Sequence, residues 1–376
     1  MGLTARALNR ATLARQLLLR REPLDVVEGL RRVVALQAQE PPSPYLALWN
    51  RLDGFDPAEL DEAFRSQRVL KAPLMRITLH AVVADDYPQL RAAMTPTLRA
   101  ARLHDARFKR TGWSIADADA LVPDLLEHVA TPRSNQELAA WTAERTGGLP
   151  EPGVWWALRT CAPLVHAPTG GPWTFGPRPS YLAAPLPAHE DPDAAVDHLV
   201  RRYLEGFGPA TARDIGRFTM LHQRVVRAAL ARLADELERH AGPDGRELVD
   251  VPRALLPDED TDAPARLLGM WDGVLLAYDD RSRVLPEPYR TVVTRSNGDV
   301  LPTVLVDGYV RGVWRPVDAG IEVTAFEPLP EHAWAQLAAE AAALCDLLAA
   351  RDPAVYRRYA RWWSKLPVAE ARTLPG

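Results

Sequence analysis

One order of elements recurs along this chain, and it limits the fold more than any bulk property: helices close together, then two short strands joined by a turn. The middle is the plainest case. "TPRSNQELAAWTAERTGG", residues 131–148, opens on the capping pattern Ser134-x-x-Glu137 and reads as a helix to Gly147. "EPGVWWALRTCA" predicts a second short helix, with Val154, Trp155 and Leu158 apolar. "PLVHAPTGGPWTFGP" predicts a strand, a Thr-Gly-Gly-Pro turn and another strand. Helix, turn, helix and a two-stranded wing make a winged helix.

The same order returns at 197–252. "DHLVRRYLEGFG" is a helix ended by glycine, and "PATARDIGRFTML" is another, with Pro209 near its start and a Thr211-x-x-Asp214 cap. "QRVVRAALARLADELERH" runs from helix into strand, "AGPDG" turns the chain and "RELVDVP" returns it. Nearer the start, "PLDVVEGLRRVVALQ", "YLALWNRL" and "DPAELDEAFRSQ", with Asp56-x-x-Glu59, read as helices; "RVLKAPLMRITLHAVV" supplies two strands. Element order repeats without residue-level periodicity.

From residue 270 the period changes. "GVLLAYDD", "RTVVTRSNGDVLPTVLVDGYVRGVWRPVD" and "GIEVTAFEP" read as β, with hairpin turns at Asn297-Gly298 and Asp307-Gly308. A helix follows over 331–350, then a basic, aromatic helix over 352–366 whose rings read as core. The fold class is α+β. Three winged-helix units are expected at 1–120, 121–190 and 191–255, then a small antiparallel sheet or partial barrel with C-terminal helices at 256–376. A chain of 376 residues has room for that many units.

Composition removes several functions. No apolar run reaches about 18 residues, so no membrane helix is expected. The first 22 residues carry five arginines and no continuous apolar stretch, which argues against a secretory signal and for the cytoplasm. Cys161 and Cys345 read as separate buried thiols in a reducing compartment. The nine histidines show no metal-ligand spacing, so neither metal nor cofactor is expected. The net charge of −4 does not advertise a nucleic-acid binder. Residues 91–110 are different: Arg91, Arg99, Arg102, Arg107, Lys109 and Arg110 stand against Asp105 alone. That stripe is either a phosphate-neutralising surface or a solvated helix face.

The least ordinary stretch is "VVALQAQEPPSPY", residues 33–45. An apolar helical run ends near Gln37, and Pro41, Pro42 and Pro44 forbid its continuation. If the backbone after Gln37 is extended, Gln37 and Gln39 share a face and open on one cavity. The alternative is a helix end whose polar residues merely cap carbonyls. Glu40, between Gln39 and Pro41, is expected on the opposite face. Tyr45 and Trp49 read as core on their helical spacing.

These residues carry a resemblance. "ALQAQEPPSPYLALWNRL" with "LMRITLHAVVADDY", "YLEGFGPATARDIGRF", "LLAYDDR" and "TVLVDGYVRGVW" resemble, in order, the AlkZ/YcaQ family of winged-helix DNA glycosylases. The likeness runs from about residue 30 to 320. It implies a C-shaped chain with a concave DNA channel, and a catalytic Gln-Φ-Gln motif (Φ, apolar) matched here by Gln37-Ala38-Gln39. The Gln-Φ-Gln form further implies self-resistance to a genotoxic antibiotic, notably azinomycin-type crosslinkers. The partner so implied is double-stranded DNA carrying alkylated or crosslinked purines, bound by a monomer.

Chemistry agrees with that implication. A glutamine amide is no general base, but it can donate and accept hydrogen bonds and hold a water. That suffices only when the leaving base is already activated. Alkylation at N7 of guanine or N3 of adenine makes the base cationic, so its departure needs no acid. Lysines are only Lys71, Lys109 and Lys365, which leaves few amines for a Schiff base and predicts a monofunctional enzyme.

Further candidates are less determined. Arg76, Thr78 and His80 alternate on one face of a predicted strand; His80 either meets DNA or bonds to nearby backbone. Arg281 either reaches phosphate or pairs locally with Asp280. Arg295 and Asn297, on a hairpin, point at the duplex or form an exposed turn. Two rivals stand beside the enzyme: a winged-helix transcriptional regulator, and a resistance protein that sequesters a toxin.

Overall fold

The computed structural model describes residues 2–148, 153–187 and 189–376; Glu151 and Pro152, at the predicted start of the second unit's second helix, lie outside them. The architecture is mixed α+β and winged-helix-like. At the N-terminus, helices α1 (Ala5–Arg15), α2 (Val26–Val33), α3 (Ser43–Trp49) and α4 (Pro57–Arg65) precede and flank a small antiparallel sheet. Asp25 and Asp56 cap α2 and α4 by accepting N–H groups of their first turns. The sheet holds β1 (Leu36–Gln37), β2 (Val69–Pro73) and β3 (Leu79–Val83), with β3 in the middle. The long helix α5 (Tyr87–Leu103) leads to the next stretch.

The capping signals hold. Ser134 and Glu137 form a reciprocal box at the helix Asn135–Arg145, and Thr211 and Asp214 form another at Ala212–Thr219. The helix Gln223–Arg232 leads to a hairpin of Glu238–Ala241 with Glu247–Asp250. In the second stretch the wing differs from the expected one. The strand paired with Leu164–Ala167 is Ser180–Ala183, and "WTFGP" is not a strand. Trp173 and Phe175 instead pack on Tyr45 and Phe64, with ring centroids 5.1 Å and 4.9 Å apart. Burying two aromatic rings outweighs the local strand preference.

The C-terminal part centres on a five-stranded antiparallel sheet. Its spatial order is Glu370–Leu374, Gly320–Ala325, Tyr309–Val317, Thr303–Val306 and Arg266–Leu268. Asp307 and Gly308 both have positive φ (50° and 79°), as a tight type I′ turn requires. Three expectations fail here. "GVLLAYDD" is a buried 3₁₀ turn (Gly273–Leu275) and bends, and "RTVV" is a short helix (Arg290–Val293). Apolar runs buried on all sides do not reveal their period. The segment after the long helix Glu331–Ala349 is a 3₁₀ stretch, Arg357–Lys365, entered through Tyr356 at φ 61°. Cys161 and Cys345 are free and half-buried, not fully buried.

The packing puts β1 at a junction. Val33, Leu36 and Ala38 belong to a core shared by the N-terminal helices and the C-terminal sheet. Val34 and Ala35 belong to a second core, shared with α5 and the helices after residue 192. Two buried bidentate ion pairs cross the same region: Arg15 with Asp250 and Arg51 with Asp272. Among the described residues no helix is long and apolar enough to cross a membrane.

Candidate active site

Helix α2 stops at Val33, four residues before the expected point, because Val34 takes φ 75°. A β-branched residue adopts that conformation only where packing enforces it. The enforcing element is the helix Pro192–Phe207. A Cβ on Gly206 would lie 2.6 Å from Val34 Cγ2, so only glycine admits so close an approach. Gln16 Nε2 donates to Gly206 O at 3.0 Å and to Val33 O at 3.4 Å, closing the helix end. The chain then enters β1, where Gln37 lies opposite His80.

Gln37 is buried, at 6% exposure. Its amide faces Arg76 Nη2. A guanidinium only donates, so the atom turned toward it is Oε1, and the Gln37 NH2 remains to donate elsewhere. Arg76 is not on a strand: it sits in the 3₁₀ turn Met75–Ile77 at φ 52°, so the expected alternation with Thr78 and His80 does not exist. The turn nevertheless brings Arg76 to Gln37 and within 3.5 Å of His80 Nε2. His80 is 1% exposed and its Nδ1 lies 3.0 Å from Thr78 O. A carbonyl only accepts, so Nδ1 carries the proton and Nε2 the lone pair. Burial, then the Arg76 cation, pushes the His80 pKa down to about 3. His80 is therefore a neutral, buried support for Arg76.

Gln39 is exposed and lines a cavity of about 770 Å³. Its Oε1 is 3.5 Å from the Leu79 N–H, while Ala38 N donates to Leu79 O at 2.7 Å. The two glutamines thus do not open side by side: Gln37 borders a narrow cleft with Trp271 and Asp272. Glu40 also departs from expectation, lining the same cavity as Gln39, because the Pro41-Pro42 bend ends the strand alternation. Its carboxylate is engaged by Arg358 and by Tyr359 Oη at 3.0 Å. The prolines also start α3, with Pro44 in its first turn.

The same cavity is lined by His166, Trp173, Phe175 and Tyr181, with Arg102 and Arg159. Lys71 lines it too, 4% exposed, its Nζ 4.3 Å from the Phe175 ring centroid. Burial pushes Lys71 down to about 8, against the opposing charge of Glu40. With the folded pKa below the unfolded 10.5, the unfolded chain binds the extra proton between those values. The cost is therefore full below pH 8 and fades as pH rises toward 10.5. Lys71→Met is expected to stabilise the protein by about 2 kcal/mol at pH 7. Thermal unfolding of both proteins at pH 7 and at about pH 10 checks this. A gain that does not shrink at the higher pH rejects the buried-charge account.

Arg281 donates to Thr294 Oγ1 at 2.9 Å, while its buried Nε has no acceptor. Asp280 caps Ser282 N–H instead of pairing with Arg281. Arg76 Nη1 is likewise buried without an acceptor. Burial, then the Arg281 and Arg217 cations, lowers Arg76 to about 9; burial and Arg217 lower Arg281 as well. Arg217 lies on the helix Ala212–Thr219, next to Phe218, whose ring is 5.2 Å from the Arg76 guanidinium. Among the described residues none of the three arginines has a carboxylate within 4.0 Å. Sequence reasoning missed Arg217, since no local spacing links it to Gln37. Arg295 lies over Trp362, 4.5 Å from its centroid, and Asn297 sits at an exposed tip, its Nδ2 donating to Asp299 at 2.9 Å. Most of the 91–110 stripe is spent internally. Arg91 is buried and donates to Thr160 O and Ala162 O, Arg99 pairs with Asp119, and Arg102 and Arg107 flank Trp156.

The profile of the family described as "DNA glycosylase AlkZ-like" matches residues 30–347. The chain belongs to the AlkZ-like DNA glycosylases. An interstrand DNA cross-link repair glycosylase of Streptomyces sahachiroi is 32% identical over 196 residues, which cover 48% of this chain. The match spans about half that relative's length, 51%. The solved structure of the Streptomyces sahachiroi DNA glycosylase AlkZ superposes with a TM-score of 0.77, covering 92% of this chain and 96% of that one. At 22% identity this is a likeness of fold. The AlkZ-like region contains Gln37, Gln39, Arg76, Arg217 and Arg281; Arg358 and Tyr359, which hold Glu40, fall beyond it.

Proposed function

We propose that this AlkZ-like chain is a monofunctional DNA glycosylase that hydrolyses the N-glycosidic bond of cationic N7-alkylated purines. Bulky adducts and the interstrand crosslinks of a genotoxic antibiotic are its intended substrates, and self-resistance is the result. Winged-helix units at 1–120, 121–190 and 191–255 and a β-domain at 256–376 form a C-shaped monomer around duplex DNA. Gln39 holds the attacking water at the cavity, and Gln37, fixed by Arg76, supplies an amide N–H from behind. The water oxygen bonds to C1′ as the C1′–N9 bond breaks. The bonding pair neutralises the alkylated base, and the water's proton passes to solvent. Arg76, Arg217 and Arg281 receive the phosphate beside the lesion, and Arg295 and Asn297 meet the duplex nearby.

The observation that carries this reading is the state of Glu40. Glu40, next in sequence to Gln39, is held by Arg358 and Tyr359, and Asp352 on the same wall accepts from Trp173 Nε1, so the Gln39 amide faces the cavity without a free carboxylate beside it. Such a site acts only on a leaving group that needs no acid. The regulator fares worse. The helix Gly153–Cys161 is largely buried and offers no row of base-reading side chains; on Gln223–Arg232, Arg232 is bridged to Asp197 while Arg224 and Arg227 are exposed.

The test is duplex DNA containing N7-methylguanine. Free 7-methylguanine should be released, and the strand should stay intact until alkali cleaves it at the abasic site. Lys71 lines the cavity but is 4% exposed with its Nζ against the Phe175 ring, and Lys109 and Lys365 do not line it, so no lyase step is expected. Strand scission without alkali rejects the monofunctional assignment. No release, with tight capture of the free alkylating agent, favours sequestration.

A further inference from the structure

The segment 357–365, "RRYARWWSK", carries Arg357, Arg358, Arg361 and Lys365 and no acid, and it lies beyond the family match. Its apolar side is fixed: Tyr359 and Trp363 are buried, and Trp362 Nε1 donates to Asp299 at 2.9 Å. Its charged side is open. Arg357 is 75% exposed, with only the fully exposed Asp318 at 3.9 Å. Arg361 is 60% exposed and 3.6 Å from Asp299. Lys365 has no carboxylate within 4.0 Å among the described residues. Arg295, Arg361 and Lys365 converge on one ring, 4.5, 5.0 and 5.5 Å from the Trp362 centroid. Three cations about one half-buried indole repel one another, and the face of the ring offsets this only partly.

Its position gives it a partner. Arg357 and Arg358 form part of the wall of the cavity that Gln39 lines. Arg358 is committed to Glu40, so the remaining cations begin where the site ends. We propose that Arg357, Arg361 and Lys365, with Arg295 beside them, bind the phosphate backbone of the duplex as it passes out of the Gln39 cavity. This rests on the reading that duplex DNA is the substrate. The Arg357–Asp318 pair is exposed and contributes little in water, so displacing Asp318 by phosphate costs little, and each phosphate contact releases a counterion. Asp299 is largely buried and keeps the Trp362 Nε1 and Asn297 Nδ2 donors when Arg361 turns to phosphate. The segment is a clamp, and it does no chemistry.

The test is binding of the full-length protein to an undamaged duplex, by fluorescence anisotropy over a range of salt. The variants are R357Q/R361Q/K365Q and the charge-retaining R357K/R361K. The triple variant should bind at least about tenfold more weakly at low salt, and its slope of log affinity against log salt should be shallower by about 2 to 3. The charge-retaining variant should behave as wild type. In base release the triple variant should raise KM and leave kcat unchanged. A triple variant with wild-type near-UV dichroism and an unchanged slope overturns the clamp. Wild-type protein that neither binds duplex nor releases base overturns the glycosylase reading, and the clamp with it. Wild-type binding beside an unaltered triple variant rejects the clamp alone.

Discussion

Replacing Gln39 by alanine is expected to cut single-turnover release of 7-methylguanine by about a hundredfold or more, the usual loss when one positioned hydrogen-bonding group is removed from a reacting centre. Affinity for the duplex should stay within about threefold, since the residue meets water and sugar, not phosphate. Gln37→Ala should fall by a similar factor for a different reason. Gln37 is 6% exposed and held by Arg76, so its loss also leaves the Arg76 guanidinium without its acceptor. The double variant should be little worse than the poorer single one, because groups that share one water act as a unit. Neither amide titrates, and His80, pushed down to about 3, stays neutral. The wild-type rate should therefore be flat between roughly pH 5 and 7. Chromatographic quantification of released base against filter binding separates chemistry from affinity. Single variants that release base at the wild-type rate remove the glutamines from the mechanism.

Part of the candidate site is legible in the sequence. The Gln-Ala-Gln stretch and its prolines mark the passage from α2 through β1 to α3, because proline chemistry is local. The path of the chain through it was not legible. "VVALQ" has helical character throughout, and what stops α2 at Val33 is a glycine on a distant helix pressing on Val34. For the same reason nothing in "MRITLH" announces a 3₁₀ turn at Arg76, and nothing near Gln39 announces that Arg358 will hold Glu40. Caps were read well: Ser134 with Glu137 and Thr211 with Asp214 satisfy their own first turns, a matter of three residues. The edge strands Arg266–Leu268 and Glu370–Leu374 went unread, being short and lacking a partner nearby in sequence. Local chemistry is written in the sequence; convergence of distant segments is decided by packing.

That convergence can be measured at Arg51 and Asp272. Arg51 follows α3, and its Nη1 and Nη2 each donate to Asp272 at 2.8 Å, with the side chains 0% and 1% exposed. Asp272 in turn caps the Gly273–Leu275 turn through the Val274 N–H. The pair therefore ties the segment after the prolines to the C-terminal part, beneath the cleft that Gln37 borders. Asp272→Leu leaves a guanidinium buried without its counter-charge and should cost about 3 to 5 kcal/mol. Arg51→Met strands the carboxylate and should cost a comparable amount. The double variant Arg51→Met, Asp272→Leu should recover most of the loss, since Arg51 Nε is itself buried without an acceptor and desolvation is no longer charged against either group. Thermal midpoints of the four proteins give the coupling directly. If each single variant costs less than about 1 kcal/mol, the pair behaves as a surface bridge and does not lock the junction. If the double variant is as poor as the singles, the capping role of Asp272 and not its charge is what holds the turn under Gln37.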